Sequence, residues 1–139
     1  MNADEHGFRH KELTEKIIGV FYEVYNELGC GFLESVYEKA MRIALSARGL
    51  ECPPKVKIPI WFCGQVVGEF EPDLIVERAM ILELKSARDF DSAHEAQLLN
   101  YLRATDIEVG LLLNFGPKPQ IRRFLFDNDR KRRRGEPEE

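Results

Sequence analysis

Apolar residues in the first third of the chain recur at three- and four-residue steps, the spacing of one face of an α-helix. The first such segment covers residues 13–28, and Gly29 follows it as a C-terminal cap. The second covers residues 33–47, and Pro53 and Pro54 prevent its continuation. The positions predicted to face inward in this second helix are Val36, Ala40, Ile43, Ala44 and Ala47.

After the two prolines the apolar positions alternate, which is typical of β-strands. Strands are predicted around residues 56–60, over 66–76, 79–86, 109–115 and 121–126, with a third helix over 92–104. Residues 109–115 are apolar enough to predict a strand covered on both faces. The order α-α-β-β-β-α-β-β predicts an α/β (α+β) fold with a mixed central sheet flanked by helices.

Three charged residues interrupt the apolar strands of the predicted hairpin at residues 71–87. If residues 77–79 form its turn, Val76 pairs with Met80, and Asp73 then lies opposite Glu83. Opposed side chains on paired strands have Cβ atoms about 5 Å apart, so the two acids would face each other. Lys85 follows Glu83 by two residues and therefore leaves the same face of its strand.

Two interpretations account for this charge. In the first, Glu83 and Lys85 form an ordinary salt bridge on the strand face. In the second, Asp73 and Glu83 ligate a hard divalent ion such as Mg²⁺, which takes one or two carboxylates and keeps several waters. Lys85 is expected to remain a charged ammonium, because neighbouring carboxylates favour that form.

The composition predicts one domain over residues 1–129, with a charged, disordered tail over 130–139. A net charge of −4 argues against a protein that coats nucleic acid, although residues 130–134 are five consecutive cations. Three cysteines without CxxC spacing predict reduced thiols in a cytoplasmic protein. No apolar run approaches the length of about 20 residues that spans a membrane.

Four ordered motifs resemble a known family. Asp73 follows a proline and is followed by Glu83-x-Lys85, which is similar to the PD-(D/E)xK nuclease motif. Gly31, Glu34 and Tyr37 are spaced as in the GxxExxY protein family, which belongs to that superfamily, and residues 94–102 and 110–116 are also similar to it. The resemblance covers residues 13–126 and implies a restriction-endonuclease-like core.

The resemblance also implies roles for individual residues. Asp73, Glu83, Glu34 and the carbonyl of Leu84 would ligate Mg²⁺ or Mn²⁺. Lys85 would assist the attacking water, and Gln97 matches a glutamine that some members place near the site. Tyr101 lies one helical turn beyond Gln97 and would share its face.

Several of these candidates also have purely structural interpretations. Glu34 could be a first-turn acid favoured by the helix dipole, and Tyr37 a packing residue with a satisfied hydroxyl. Gln97 could be an exposed helix position, and His94 could contact a phosphate or cap its helix. Residues set aside from the site are His6 and His10, as surface histidines, and Asn114, as a turn residue.

The predicted function is a metal-dependent nuclease that hydrolyses phosphodiester bonds in DNA or RNA by metal-activated water. DNA is expected ahead of RNA, and a homodimer is compatible with cutting two strands. The alternative is a non-cleaving module that keeps the nuclease fold and binds nucleic acid or a protein. The complete set of Asp73, Glu83 and Lys85 favours the nuclease, since a binding-only protein has little physical reason to keep it.

Overall fold

In the part of the chain that the computed structural model describes, residues 10–131 together with Gly135 and Pro137, three α-helices flank the strands. The helices are α1 (Lys11–Leu28), α2 (Glu34–Ala47) and α3 (Ser92–Arg103), close to the predicted segments. Gly29 ends α1 with a φ of 68°, and its N–H donates to the carbonyl of Tyr25. The predicted glycine cap is therefore confirmed.

The strands within the described ranges form two separate sheets. They are β1 (Ile58–Phe62), β2 (Gln65–Phe70), β3 (Leu74–Val76), β4 (Met80–Lys85), β5 (Val109–Phe115) and β6 (Pro119–Leu125). β1 and β2 form an antiparallel hairpin, whereas the other four form one sheet in the order β3-β4-β5-β6. β4 and β5 are parallel and the other neighbours antiparallel. The predicted α+β class with a mixed sheet is confirmed.

The predicted strand over residues 66–76 is wrong, because the structure divides it into β2 and β3. Pro72, which lies in the break, has no N–H to donate to a strand ladder. The N–H of Asp73 donates to the side chain of Glu83 instead of to a backbone carbonyl. The element order therefore has four strands, not three, before α3.

The predicted inward face of α2 is wrong by about one residue. Tyr37, Met41 and Leu45 are buried, whereas Ile43 is 72% exposed. Val36 and Ala47 are exposed as well, and Ala40 and Ala44 pack partly against the core. The larger side chains remove more apolar area from water, so the helix turns toward them.

Apolar side chains cover both faces of the four-stranded sheet. Leu82 and Leu84 of β4 join one core cluster with α1 and α2, while Ile81 joins a second cluster with α3. All residues of β5 are buried, which confirms the strand predicted to be covered on both faces. Glu83 has the same strand parity as Ile81, so its side chain leaves the sheet on the α3 side.

α3 approaches the sheet closely at Gly110. A Cβ at this position would lie 2.8 Å from the Cδ1 of Leu98, a side chain of α3. The helix therefore rests directly on β5, which fixes its distance from the neighbouring strand β4.

The C-terminal segment continues beyond β6. A short 3-10 helix covers Asn128–Arg130, and the ammonium of Lys131 donates to the carbonyls of Thr105 and Ile107 at 2.8 Å each. Most of the predicted tail, including residues 132–134, lies outside the described residues, as does His6. Within the described part of the chain, no helix combines the length and apolar character that crossing a membrane requires.

Candidate active site

Asp73 and Glu83 face each other at the end of the β3–β4 pair. The pairing of Val76 with Met80 and of Leu74 with Leu82 confirms the predicted register, and Asp73 and Glu83 are the next residues along the two strands. The Asp73 N–H donates to Glu83 Oε2 at 2.8 Å, and the Leu84 N–H donates to Asp73 Oδ2 at 2.8 Å. Each carboxyl is thus held by the opposite strand through one oxygen. Its second oxygen accepts no hydrogen bond from any other described residue.

Asp73, which is half-buried, and Glu83, which is buried, repel each other when both are charged. Glu83 is only 4% exposed, and burial, reinforced by the nearby Asp73, raises the pKa of its carboxyl to about 8. Burial also raises the pKa of Asp73, although the Leu84 N–H and Lys85 oppose this increase. A cation between the two carboxyls would offset both penalties, because it favours their ionised forms.

Lys85 ends β4 and lies on the same face as Glu83. Its positive charge opposes the rise in the pKa of both Asp73 and Glu83, so the ammonium lies within electrostatic reach of the pair. No direct ion pair of Lys85 is found among the described residues, whose ion pairs all involve other groups. The ion pair between Glu83 and Lys85 that the salt-bridge interpretation requires is therefore not found among these residues.

Glu34 approaches the same end of β4 from the first turn of α2. Its Oε2 accepts from the Ser86 N–H at 3.2 Å, and its charge contributes to the raised pKa values of Asp73 and Glu83. Glu34 also occupies the first helical position, where the helix dipole favours an acid. The location beside the strand pair was predicted only through the family resemblance.

Glu38 is a nearby acid that the sequence interpretation missed. It lies one turn beyond Glu34 on α2, and i,i+4 residues share a helix face. Burial raises the pKa of its carboxyl, and the negative charges of Asp73 and Glu71 add to the increase. The repeat of an acid four residues after Glu34 was the signal available in the sequence.

Tyr101 of α3 lies near the acid pair. Burial, followed by the charges of Glu83 and Asp73, raises the pKa of its hydroxyl. Its ring stacks on Phe70, with centroids 3.8 Å apart and planes at 5°. Gln97, one turn earlier, is exposed, and none of its described contacts joins it to the pair.

The contacts of His94 are those of a helix cap. Its N–H donates to Asp91 Oδ1 at 3.0 Å, and its Nδ1 accepts from the Asp91 N–H at 3.4 Å. This reciprocal pair is a capping box at the start of α3. The capping alternative therefore describes these contacts, and no described contact links His94 to the acid pair.

Tyr37 is fully buried and supports the loop that precedes Glu34. Its ring stacks on Phe115 at a centroid distance of 4.2 Å. Its hydroxyl donates to the Gly29 carbonyl at 2.5 Å and accepts from the Phe32 N–H at 3.3 Å. Tyr37 has no exposed surface, and its hydrogen bonds hold the loop that precedes Glu34.

We expect Tyr37→Phe to lower the free energy of unfolding by about 1–3 kcal/mol, because two partly buried backbone groups lose their partner. Urea denaturation measures the change. Tyr22→Phe is the matched control, since Tyr22 is 40% exposed. Equal stabilities of the two variants would contradict the bracing role of the Tyr37 hydroxyl.

Asn114 is not a turn residue, as the sequence had suggested, but a fully buried member of β5. Its side chain accepts from the Ala87 N–H at 3.0 Å and donates to the Ala87 carbonyl and to Gln120 Oε1, each at 2.8 Å. It therefore fixes the loop that follows Lys85. A single polar residue within an apolar strand was the signal for such a role.

Without metal, the free energy of unfolding should fall as pH rises from about 4.5 to about 8. Across this window the folded state keeps a proton on Glu83 that the unfolded chain has already released. The slope from this one group is at most about 1.4 kcal/mol per pH unit. Denaturation at several pH values in EDTA measures it. Glu83→Gln keeps the oxygen acceptor and should remove this slope, so parallel curves for the two proteins would refute the assignment.

The donor set suits a hard divalent ion. Among the described residues, no three His, Cys, Asp or Glu side chains converge closely enough to hold a metal by themselves. Mg²⁺, however, is commonly bound by one or two carboxylates and completes its coordination with water and carbonyl oxygens. Asp73, Glu83 and the Leu84 carbonyl match this requirement.

Comparison with known proteins identifies the superfamily to which the chain belongs. A family model described as the PD-(D/E)XK nuclease superfamily matches residues 11–124, and the chain belongs to this superfamily. The crystal structure of SSO0001 is similar in fold, with a TM-score of 0.54 and 19% sequence identity. The match covers 67% of this chain and 50% of the SSO0001 chain, so this protein spans half the length of that relative. Comparison with curated proteins gave no match.

Proposed function

We propose that the protein is a metal-dependent nuclease that hydrolyses phosphodiester bonds. The observation that carries the proposal is the reciprocal hydrogen bonding of Asp73 and Glu83. It aligns the buried carboxyl of Glu83 with the half-buried carboxyl of Asp73 and leaves one oxygen of each for a cation. Membership of the superfamily supports the same activity.

In this proposal Asp73, Glu83 and the Leu84 carbonyl would hold Mg²⁺ or Mn²⁺, with Glu34 contributing directly or through water. When bound, the ion would supply a more acidic water and would neutralise charge that develops on the phosphate. The role of Lys85 would be to orient the attacking water and to stabilise negative charge in the transition state. Gln97 and Tyr101 project from α3, and Tyr101 lies close enough to the acids to help position substrate.

The finer assignments belong to the same proposal. Gly31, Glu34 and Tyr37 support placement in the GxxExxY family. The substrate is nucleic acid, with DNA ahead of RNA, and the protein acts in the cytoplasm from a single domain over residues 1–129. A homodimer, which would carry two such sites, is compatible with the proposal.

The test is calorimetric titration with Mn²⁺ and Mg²⁺, combined with cleavage of labelled DNA and RNA. We expect the wild type to bind metal and to cleave only when metal is present. Asp73→Asn should lose measurable affinity, because one carboxylate charge is removed while the side chain keeps its size. A wild type that binds no metal at millimolar concentration, even with oligonucleotide present, would overturn the nuclease in favour of a binding module.

A further inference from the structure

Three exposed apolar side chains surround Glu34 in the chain. Phe32 is 48% exposed, Leu33 76% and Val36 37%. We call these three residues the Phe32 patch. An isolated exposed apolar residue is ordinary on a protein surface, but these three fall within five consecutive positions and lie on both sides of a candidate metal ligand in the sequence.

The backbone of Phe32 is tied to the active site. Its carbonyl accepts from the Ser86 hydroxyl at 3.3 Å, while the Ser86 N–H donates to Glu34 at 3.2 Å. Ser86 directly follows Lys85. One residue thus fixes both the acid and the aromatic residue beside the end of β4.

The loop is also fixed from its other side. The Phe32 N–H donates to the buried Tyr37 hydroxyl at 3.3 Å. The two rings meet edge to face, with centroids 6.1 Å apart and planes at 72°. Because both backbone groups of Phe32 are hydrogen-bonded and its ring contacts the buried Tyr37 ring, the half-exposed Phe32 ring is restrained before any ligand arrives, which lowers the entropic cost of binding.

An exposed aromatic ring can bind nucleic acid even though the protein has a net negative charge. The chain carries a net charge of −4, so its long-range field does not attract phosphates. Stacking of a base on an aromatic ring needs no positive charge and tolerates any sequence. Bases inside a duplex are already stacked on one another, so the ring can take only a base that is unpaired.

We propose that Phe32 stacks on an unpaired nucleobase next to the scissile phosphate, which makes single-stranded nucleic acid the preferred substrate class. The inference rests on the proposed nuclease function, since it assigns the substrate of the same site. Leu33 and Val36 form the apolar border of this platform.

The test is fluorescence anisotropy with a short labelled single-stranded DNA in EDTA, which measures binding whether or not the protein cleaves. Phe32→Ala and Phe32→Leu should each bind about tenfold more weakly, because both lose the stacking face. Phe32→Trp should restore binding. Phe62→Ala is the control, since Phe62 is 67% exposed but lies on the β1–β2 hairpin. Thermal unfolding of each variant shows that the fold is kept.

Two further probes locate the contact. A strand carrying an abasic site at the stacked position should bind wild type and Phe32→Ala equally weakly. Wild type and Phe32→Ala should bind a blunt duplex of the same sequence with equal affinity. If Phe32→Ala weakens binding of the duplex as much as binding of the single strand, the assignment to an unpaired base is wrong.

Other outcomes also contradict the inference. If Phe32→Ala binds single strands like the wild type, or if Phe32→Leu does, aromatic stacking is absent. If Phe32→Ala changes only the elution volume in gel filtration, the patch contacts a second copy of the chain instead. Absence of cleavage by the wild type with Mg²⁺ would refute the nuclease proposal, whereas an unchanged Phe32→Ala affinity refutes only the stacking.

Discussion

Lys85→Ala is expected to reduce metal-dependent cleavage by at least about 100-fold, the loss typical when one group that stabilises transition-state charge is removed. The Lys85 side chain leaves the same face of the strand as Glu83, and it takes part in none of the ion pairs found among the described residues. The fold should survive, because Lys85 is only partly buried and ends its strand. Single-turnover cleavage rates with saturating Mg²⁺ measure the effect.

The control for this prediction is Lys118→Ala, which removes a cation from an exposed turn before β6. Lys85→Arg is informative as well, since it keeps the charge but changes the shape and donors of the group. Full activity in Lys85→Ala, with an unchanged thermal unfolding temperature, would show that this lysine takes no part in the chemistry.

Gly116→Ala is expected to lower the free energy of unfolding by about 3 kcal/mol or more, at the upper end of overpacking effects. A Cβ at this position would lie 1.9 Å from the Ala87 carbonyl oxygen, a backbone atom that cannot rotate away. Asn114 holds the same Ala87 by both backbone groups, which resists the shift that would relieve the contact.

Urea denaturation measures this loss, and Gly68→Ala is the matched control. Gly68 lies in β2, and a Cβ there would have no heavy atom within 4 Å. Cleavage should fall in Gly116→Ala as well, because displacement of Ala87 is transmitted to Lys85 two residues earlier. Similar stabilities of the two alanine variants would contradict the proposed close contact.

The central geometry could be predicted from the sequence because a short turn fixes the pairing of its strands. Once residues 77–79 are taken as the turn, Asp73 must lie opposite Glu83, and the structure has this register. Lys85 follows from the two-residue period of a strand. The burial of β5 on both faces could also be predicted, because apolar residues occupy positions on both of its faces.

The features that were missed depend on contacts between distant segments. α2 carries apolar residues on two faces, and only packing against the core selects Tyr37 over Val36. Asn114 is hydrogen-bonded to Ala87, which lies 27 positions earlier in the sequence. A local sequence pattern cannot predict a contact between residues so far apart. The division of the strand at residues 71–73 likewise reflects a side chain of β4, because Glu83 takes the N–H that would have continued the ladder.

The β1–β2 hairpin forms its own sheet and shares no backbone ladder with β3–β6. Two strands alone are marginally stable in water, so this hairpin depends on the side chains at its base. Phe70, stacked on Tyr101, is one of those attachments. Local opening of the hairpin would therefore free the ring of Tyr101, which lies beside Asp73 and Glu83. The surroundings of the two acids would change while the four-stranded sheet stayed folded.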